Sequence, residues 1–154
     1  MSLKSTLRIF NEADLEGQPA VARGQTGKLL VGTTERPSEK LWAALASFEP
    51  GTVEGLHWHL VEVFYYVISG RAIMRDIEGR SYNIGPGSVI YAPAGIAGSH
   101  EWDIKEKLQL IAVRATADPE KLMQFEVDGA TKQSSIGFDL LVNLFKGTEF
   151  KSLY

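Results

Sequence analysis

The sequence predicts an all-β protein, a sandwich or barrel built as one domain. Short runs rich in β-branched and aromatic residues recur from residue 41 onward, and the clearest is 63–68. Turns that contain glycine or proline separate these runs, for example at 85–87 and 93–95. The chain has 154 residues, 44% apolar and 23% charged, which is enough for one sizeable core.

The elements follow in chain order. Strands are expected at 29–31, 41–48, 56–69, 71–77, 81–84, 88–92 and 107–114. Asn11 predicts a turn or helix cap, and Asp118 followed by Pro119 predicts a helix start. A short C-terminal helix is expected because apolar residues recur there at i, i+3, i+4 and i+7: Phe138, Leu141, Val142 and Phe145. The expected organisation is a single domain, 1–154, with a barrel core at about 41–115, an N-terminal arm, 1–40, and a C-terminal extension, 116–154.

Composition excludes several classes of function. The net charge of -3 gives no general attraction to nucleic acid or to an anionic membrane. There is no cysteine, so disulfides and thiolate chemistry are absent. The first residues lack the apolar core of a signal peptide, and no apolar run reaches membrane-spanning length. The expectation is a soluble cytoplasmic protein with no nucleic-acid or membrane partner.

Two of the three histidines in the chain lie two residues apart, at His57 and His59. On a β-strand this spacing places both imidazoles on the same face. The flanking residues are mostly apolar, which predicts that this face enters a closed interior. Together with His100 and the nearby carboxylate of Glu62, the pair predicts a divalent metal site, although the same spacing also occurs on solvated strand faces.

Two motifs in this region resemble those of the cupin superfamily, whose fold is a double-stranded β-helix, or jelly-roll barrel. The first family motif, G-x5-H-x-H-x3-4-E-x6-G, matches at Gly51, His57, His59 and Gly70. The second, G-x5-P-x-G-x2-H-x3-N, matches from Gly87 to Gly95: Gly87, Pro93 and Gly95. The resemblance covers about 41–115 and implies the jelly-roll fold, while this fold hosts many chemistries and does not name a substrate.

The sequence departs from both motifs. The family's glutamate position is Val63, and Glu62 comes one residue early, which turns a strand side chain to the opposite face unless a bulge corrects it. The family's third histidine position is Gly98, whereas His100 comes two residues later and keeps the same facing in a strand. The expected ligands are therefore His57, His59 and His100, with Glu62 left open between ligation and an outward position.

Within the resemblance, a site of three histidines implies a bound Fe, Mn, Ni, Zn or Cu ion. Three-histidine cupin sites resemble Fe(II) dioxygenases, and sites with an added glutamate resemble oxalate decarboxylases, quercetinases and isomerases. The function that we expect is metal binding with action on a small organic molecule, as a dioxygenase-like oxidoreductase. Two alternatives stay open: a small-molecule binding or sensor module without catalysis, and a sugar-type isomerase or epimerase.

Other residues receive secondary roles. Tyr65 and Tyr91 are candidates to line the substrate pocket, and Glu101 is a candidate to orient the imidazole of His100. Three arginines are expected to be solvated or paired, although one that points inward would be a carboxylate clamp: Arg71, Arg75 and Arg114. A homodimer is expected, with the N-terminal segment and an outward tryptophan, Trp58 or Trp42, at the contact.

Overall fold

The computed structural model describes residues 2–134, and it confirms the all-β prediction. Nine strands are present in this part of the chain: β1 (Gln18–Pro19), β2 (Gln25–Val31), β3 (Trp42–Phe48), β4 (Val53–His59), β5 (Val63–Asp76), β6 (Ser81–Ile84), β7 (Val89–Ala92), β8 (His100–Arg114) and β9 (Gln124–Glu126). Three short 3-10 helices lie between them: Glu12–Asp14, Ile96–Gly98 and Pro119–Lys121. The C-terminal helix expected around 138–145 lies outside the described residues.

Strand β8 organises the sheet because it pairs with three other strands. One part of it, 108–114, pairs with β3, and another part, 100–103, pairs with β4. Strand β5 pairs with β8 along nearly its whole length and also pairs with β6 and β7. All of these pairings are antiparallel, and they curl the sheet into the predicted jelly-roll barrel.

Two strands are longer than the sequence predicts. Gly70 was expected to end a strand, but β5 runs through it as an irregularity in its pairing with β8. Gly70 has φ +88°, and a Cβ there would lie 2.1 Å from the carbonyl oxygen of Lys107. The glycine therefore permits a bulge and a close backbone approach where a turn was expected. Strand β8 likewise begins at His100, seven residues before the predicted start at 107.

The segments outside 41–115 extend the sheet at both edges. In the N-terminal arm, β2 pairs with β3 over most of its length and β1 pairs with β2. In the C-terminal extension, β9 pairs with β4, the strand that carries His57 and His59. The predicted caps are also present, since the side chain of Asn11 accepts a hydrogen bond from the amide of Ala13 and that of Asp118 accepts one from Glu120.

The core fills the inside of the barrel, and a smaller apolar cluster covers the outside of β4. The largest fully buried residues of the inner cluster come from β5 and β8: Val63, Val67, Trp102, Ile104, Leu108 and Leu110. The outer cluster is Trp58, Phe125 and Val127, with the rings of Trp58 and Phe125 centred 4.7 Å apart. None of the helices in 2–134 is long and apolar enough to cross a membrane.

The two tryptophans expected at a dimer contact are used within the chain itself. Trp58 does point away from the histidine face, but β9 covers it and leaves it 1% exposed. Trp42 is half-buried and lies under the guanidinium of Arg114, whose Cζ is 4.8 Å from the ring centroid. The expected contact through Trp58 is wrong because the chain itself buries that side chain, while a contact through Trp42 and the homodimer itself stay predictions.

Replacing Phe125 by alanine should destabilise the protein by about 3–5 kcal/mol, because a fully buried ring that packs on Trp58 would leave a cavity. Chemical denaturation measures the change in the free energy of unfolding. Phe64→Ala is the matched control, since Phe64 is 41% exposed and its loss should cost much less. If Phe125→Ala lowers the free energy of unfolding as little as Phe64→Ala does, β9 is not docked on β4 in solution.

Candidate metal centre

The structure brings the three histidines together inside the barrel. His57 and His100 are directly paired across β4 and β8, and His59 lies two residues along β4 on the same face. Each is at most 3% exposed, and one nitrogen from each imidazole lies within 4.8 Å of the others. Two ligands at about 2.0–2.1 Å from one ion stand roughly 3 Å apart. Small side-chain rotations are therefore enough for all three imidazoles to share an ion.

Backbone carbonyls fix the tautomers of two of these imidazoles. The Nδ1–H of His57 donates to the carbonyl of Gly55 at 2.7 Å, and that of His100 donates to the carbonyl of Gly98 at 2.9 Å. With the proton on Nδ1, each Nε2 carries a lone pair that faces the cluster. The hydroxyl of Tyr65 donates to Nε2 of His100 at 3.0 Å.

His59 has two buried ring nitrogens, and neither makes a hydrogen bond of normal geometry within the described part of the chain, although the nearby side chain of Gln124 partly opposes the lowering of its pKa. Its polar neighbour Gln124 donates its amide to Glu54 at 3.0 Å instead. A buried polar atom without a partner is costly, and a lone pair aimed at two other imidazole lone pairs is the arrangement that a metal ion completes. The three histidines therefore fit a divalent ion.

The three imidazoles are neutral at physiological pH. Burial lowers the pKa of His57 and of His100 to about 4, and it also lowers the pKa of His59. The positive charge of Arg114 acts in the same direction on all three. Metal ligation needs the unprotonated ring, so the ligands are already in the binding form.

Glu54 is a candidate site residue that sequence reasoning missed. It is 7% exposed, and its Oε1 lies 3.7 Å from Nε2 of His57. Regular alternation from His57 would turn residue 54 outward, but β4 has a bulge between Glu54 and His57 that reverses the facing. Gly55 within that bulge was the available signal, since glycine inside a strand often marks one. Burial raises the pKa of Glu54, and the hydrogen bond from Gln124 opposes this rise.

Glu62, whose position the sequence leaves open between ligation and an outward side chain, lies outside the cluster. Its side chain is exposed and accepts a hydrogen bond from the hydroxyl of Tyr91. Val63, which holds the family's glutamate position, is 1% exposed in the core. The single strand predicted at 56–69 is wrong, since β4 ends at His59 and β5 begins at Val63. Glu62 therefore lies in the connection between two strands, with its side chain exposed.

Of the secondary candidates, only Tyr65 lies at the cluster. Tyr91 is 60% exposed, and it lines a second cavity of about 350 Å³ whose lining also includes His100. Glu101 accepts a hydrogen bond from Arg75 at 2.7 Å, which holds its carboxylate away from His100. The orienting partner of His100 is the carbonyl of Gly98 instead. The orienting role expected of Glu101 is therefore wrong, whereas the role of Tyr91 as a pocket residue stays a prediction.

A cavity of about 370 Å³ reaches the cluster through Glu54 and Tyr65, which contact His57 and His100, although no histidine is part of its lining. Most of its lining is apolar, including Trp42, Phe48 and Leu110. Its lining also includes the polar or charged residues Gln18, Gln25, Glu54, Tyr65, Arg114 and Gln124. This combination of an apolar wall and few polar groups is typical of a small-molecule site.

Comparison with known proteins finds relatives that are similar to the barrel region of this chain. Residues 44–114 match the family model of the cupin domain. Oxalate decarboxylase OxdC of Bacillus subtilis (strain 168) is 33% identical over 84 residues, which are 51% of this chain but only 22% of that protein.

Solved structures show the same fold at low sequence identity. The polyketide cyclase RemF from Streptomyces resistomycificus superposes with a TM-score of 0.64 and 19% identity, covering 71% of this chain and 80% of that one. An RmlC-like cupin from Shewanella frigidimarina NCIMB 400 gives a TM-score of 0.62 and 16% identity, covering 75% and 96%. At these identities the likeness shows the fold alone.

The metal-free protein should lose stability as the pH falls from about 6.5 to 4. The folded-state pKa of His57 and His100 is about 4, below the unfolded value of roughly 6.5, so the unfolded chain binds protons that the folded chain does not. The contribution of each neutral histidine to the free energy of unfolding is fully present above about pH 6.5. It is on the order of 3 kcal/mol per histidine at most. Urea denaturation at several pH values measures it.

His57→Gln should flatten this dependence, because the substituted side chain does not titrate. Glu62→Gln is the control, since Glu62 is exposed and away from the cluster. If His57→Gln keeps the full wild-type slope, His57 ionises as freely in the folded protein as in the unfolded chain.

Proposed function

The chain belongs to the cupin superfamily, and from that premise we propose that it is a metal-dependent enzyme acting on a small organic molecule, of the dioxygenase-like oxidoreductase class. One observation carries the proposal: three buried, neutral imidazoles converge beside a largely apolar cavity, and one of them has no other partner. The donor set is entirely nitrogen, which suits Fe(II), Ni(II), Cu(II) and Zn(II) and less readily Mn(II).

His57, His59 and His100 would hold the ion. A bound divalent ion supplies a Lewis acid whose remaining coordination positions are open to substrate or dioxygen. The exposed position of Glu62 supports the oxidoreductase class, because no carboxylate from that position neutralises the site. The carbonyls of Gly55 and Gly98 keep two of the rings oriented while substrate enters and leaves.

Tyr65 has a role that depends on ligation. Its hydroxyl donates to Nε2 of His100, and that nitrogen is the atom a metal would take. Once the lone pair is engaged, the hydroxyl is released to donate to a substrate oxygen in the cavity that it lines. Burial raises the pKa of Tyr65, so the proton stays on the hydroxyl oxygen at physiological pH.

Glu54 favours a second candidate, a metal-dependent reaction without net oxidation, such as decarboxylation or isomerisation. Its carboxyl group faces both His57 and the cavity, where it can accept or return a proton. The local similarity to an oxalate decarboxylase supports this candidate, although the matched segment is a minor part of that protein. The sensor alternative would need neither Glu54 nor open coordination positions.

His59→Ala should abolish metal retention, because it removes the imidazole that has no other partner. Glu62→Gln should keep most of the metal, since its carboxylate lies at the surface. Elemental analysis of protein purified without a histidine tag measures both. Equal metal content in His59→Ala and the wild type would refute the proposed site.

Glu54→Gln separates the two candidate classes. If Glu54 only faces substrate, the variant should keep a metal content close to that of the wild type. Loss as complete as in His59→Ala would make Glu54 a ligand and would favour the decarboxylase or isomerase class. The Fe(II)-loaded wild type should also give a high-spin nitrosyl EPR signal on exposure to nitric oxide, and its absence from iron-loaded protein would contradict the dioxygenase-like class.

A further inference from the structure

We propose that Arg114 makes the cavity a binding site for an organic carboxylate, so that the substrate is a small acid with an apolar body. This inference rests on the proposed function, because it names the class of molecule that the metal site would act on. Arg114 is the last residue of β8, and it lines the same cavity as Glu54 and Tyr65.

The guanidinium of Arg114 is only partly satisfied by the protein. It donates from Nη1 to the carbonyl of Leu122 and lies over the ring of Trp42. Its Nε is buried and has no hydrogen-bond partner within residues 2–134. In that range, no carboxylate oxygen comes within 4.0 Å of its nitrogens. The cation therefore keeps a free donor that faces the interior.

Other arginines in the barrel show the contrast. Arg71, Arg75 and Arg80 each form an ion pair with an aspartate or glutamate at the surface. Arg114 is half-buried and its Nε is shielded from water, so its charge is less well solvated than those of the paired surface arginines, and an anion bound in the cavity would compensate it. This difference distinguishes Arg114 from a structural surface arginine.

The shape of the site favours a carboxylate over a phosphate. A guanidinium presents its N–H groups in a planar fork that matches the two oxygens of a carboxylate. Among the described residues that line the cavity, Arg114 is the one cationic side chain, so the protein itself offers a single positive charge to an anion at that end. The remaining wall is mainly apolar and includes Ala44, Phe48 and Leu110, which suits an aliphatic or aromatic body.

The charge distribution agrees with an acid placed between Arg114 and the histidines. The imidazoles are neutral, and Glu54, the one carboxyl group that residues 2–134 contribute to the cavity lining, already accepts a hydrogen bond from Gln124. With a divalent ion on the histidines, the ion and Arg114 together outweigh Glu54, so the cavity is net positive. One end of the acid would meet the guanidinium, and the reacting end would face the metal site.

The test compares acids with their neutral amides. Benzoate and hexanoate, each matched with benzamide and hexanamide, are titrated into the metal-loaded full-length protein by calorimetry. At least one acid should bind tenfold or more tightly than its amide. Arg114→Met should remove this preference, whereas Arg71→Gln, which alters an exposed arginine, should leave it unchanged. Equal affinity of acid and amide in the wild type, or an unchanged preference in Arg114→Met, overturns the inference.

A second variant covers the case in which Arg114→Met does not fold. Arg114→Lys keeps the positive charge but loses the planar fork, so the preference should fall several-fold, and an undiminished preference counts against bidentate recognition. Metal content is measured on the same samples. A protein that holds metal but shows no acid preference refutes this inference alone. Acid preference that persists in protein unable to retain metal refutes the proposed function instead.

Discussion

The antiparallel pairing of β4 with β8 is the constraint on which the site depends. It sets His57 directly opposite His100, and the two-residue period of β4 then adds His59 to the same face. The bulge at Gly55 and Leu56 reverses the facing of the preceding residue, so Glu54 enters the barrel as well. A shift of this register by one residue would turn His57 and His59 to the outer face, away from His100.

Burial gives these polar groups their chemical state. Removal from water keeps the imidazoles neutral and favours the protonated form of Tyr65. Burying polar groups costs free energy, and the hydrogen bonds that His57 and His100 donate to the carbonyls of Gly55 and Gly98 offset part of it. The fold provides no such bond for the nitrogens of His59 or for Nε of Arg114 within the described residues. These unsatisfied groups differ in kind, since the neutral imidazole of His59 offers a lone pair whereas Nε of Arg114 is a donor on a cation. A metal ion and an organic anion are the complementary partners.

Much of the fold and the histidine cluster could be predicted from the sequence, because both follow from short-range periodicity. The alternation around His57 and His59 sets their common face, and β-rich runs between turns indicate an all-β barrel. The inward position of Glu54 and the continuation of β5 through Gly70 could not be predicted in this way. Each depends on a bulge that arises only when two distant strands pair. The predicted strands carry three arginines, any of which would be a carboxylate clamp if it pointed inward. Tertiary packing decides which one does, and the structure places Arg114 in the cavity lining.

The segment that follows β8 ties the stability of the barrel to the chemistry of the cavity. Along β9, successive side chains alternate between the two faces of β4. Gln124 enters the site and donates to Glu54, while Phe125 covers Trp58 on the opposite side. Just before it, the carbonyl of Leu122 accepts from Arg114. Because a strand docks as a unit, the packing of Phe125 on Trp58 also positions the groups that hold the two charged residues of the cavity. The outer apolar cluster is therefore part of the site's support, although no residue of it touches the cavity.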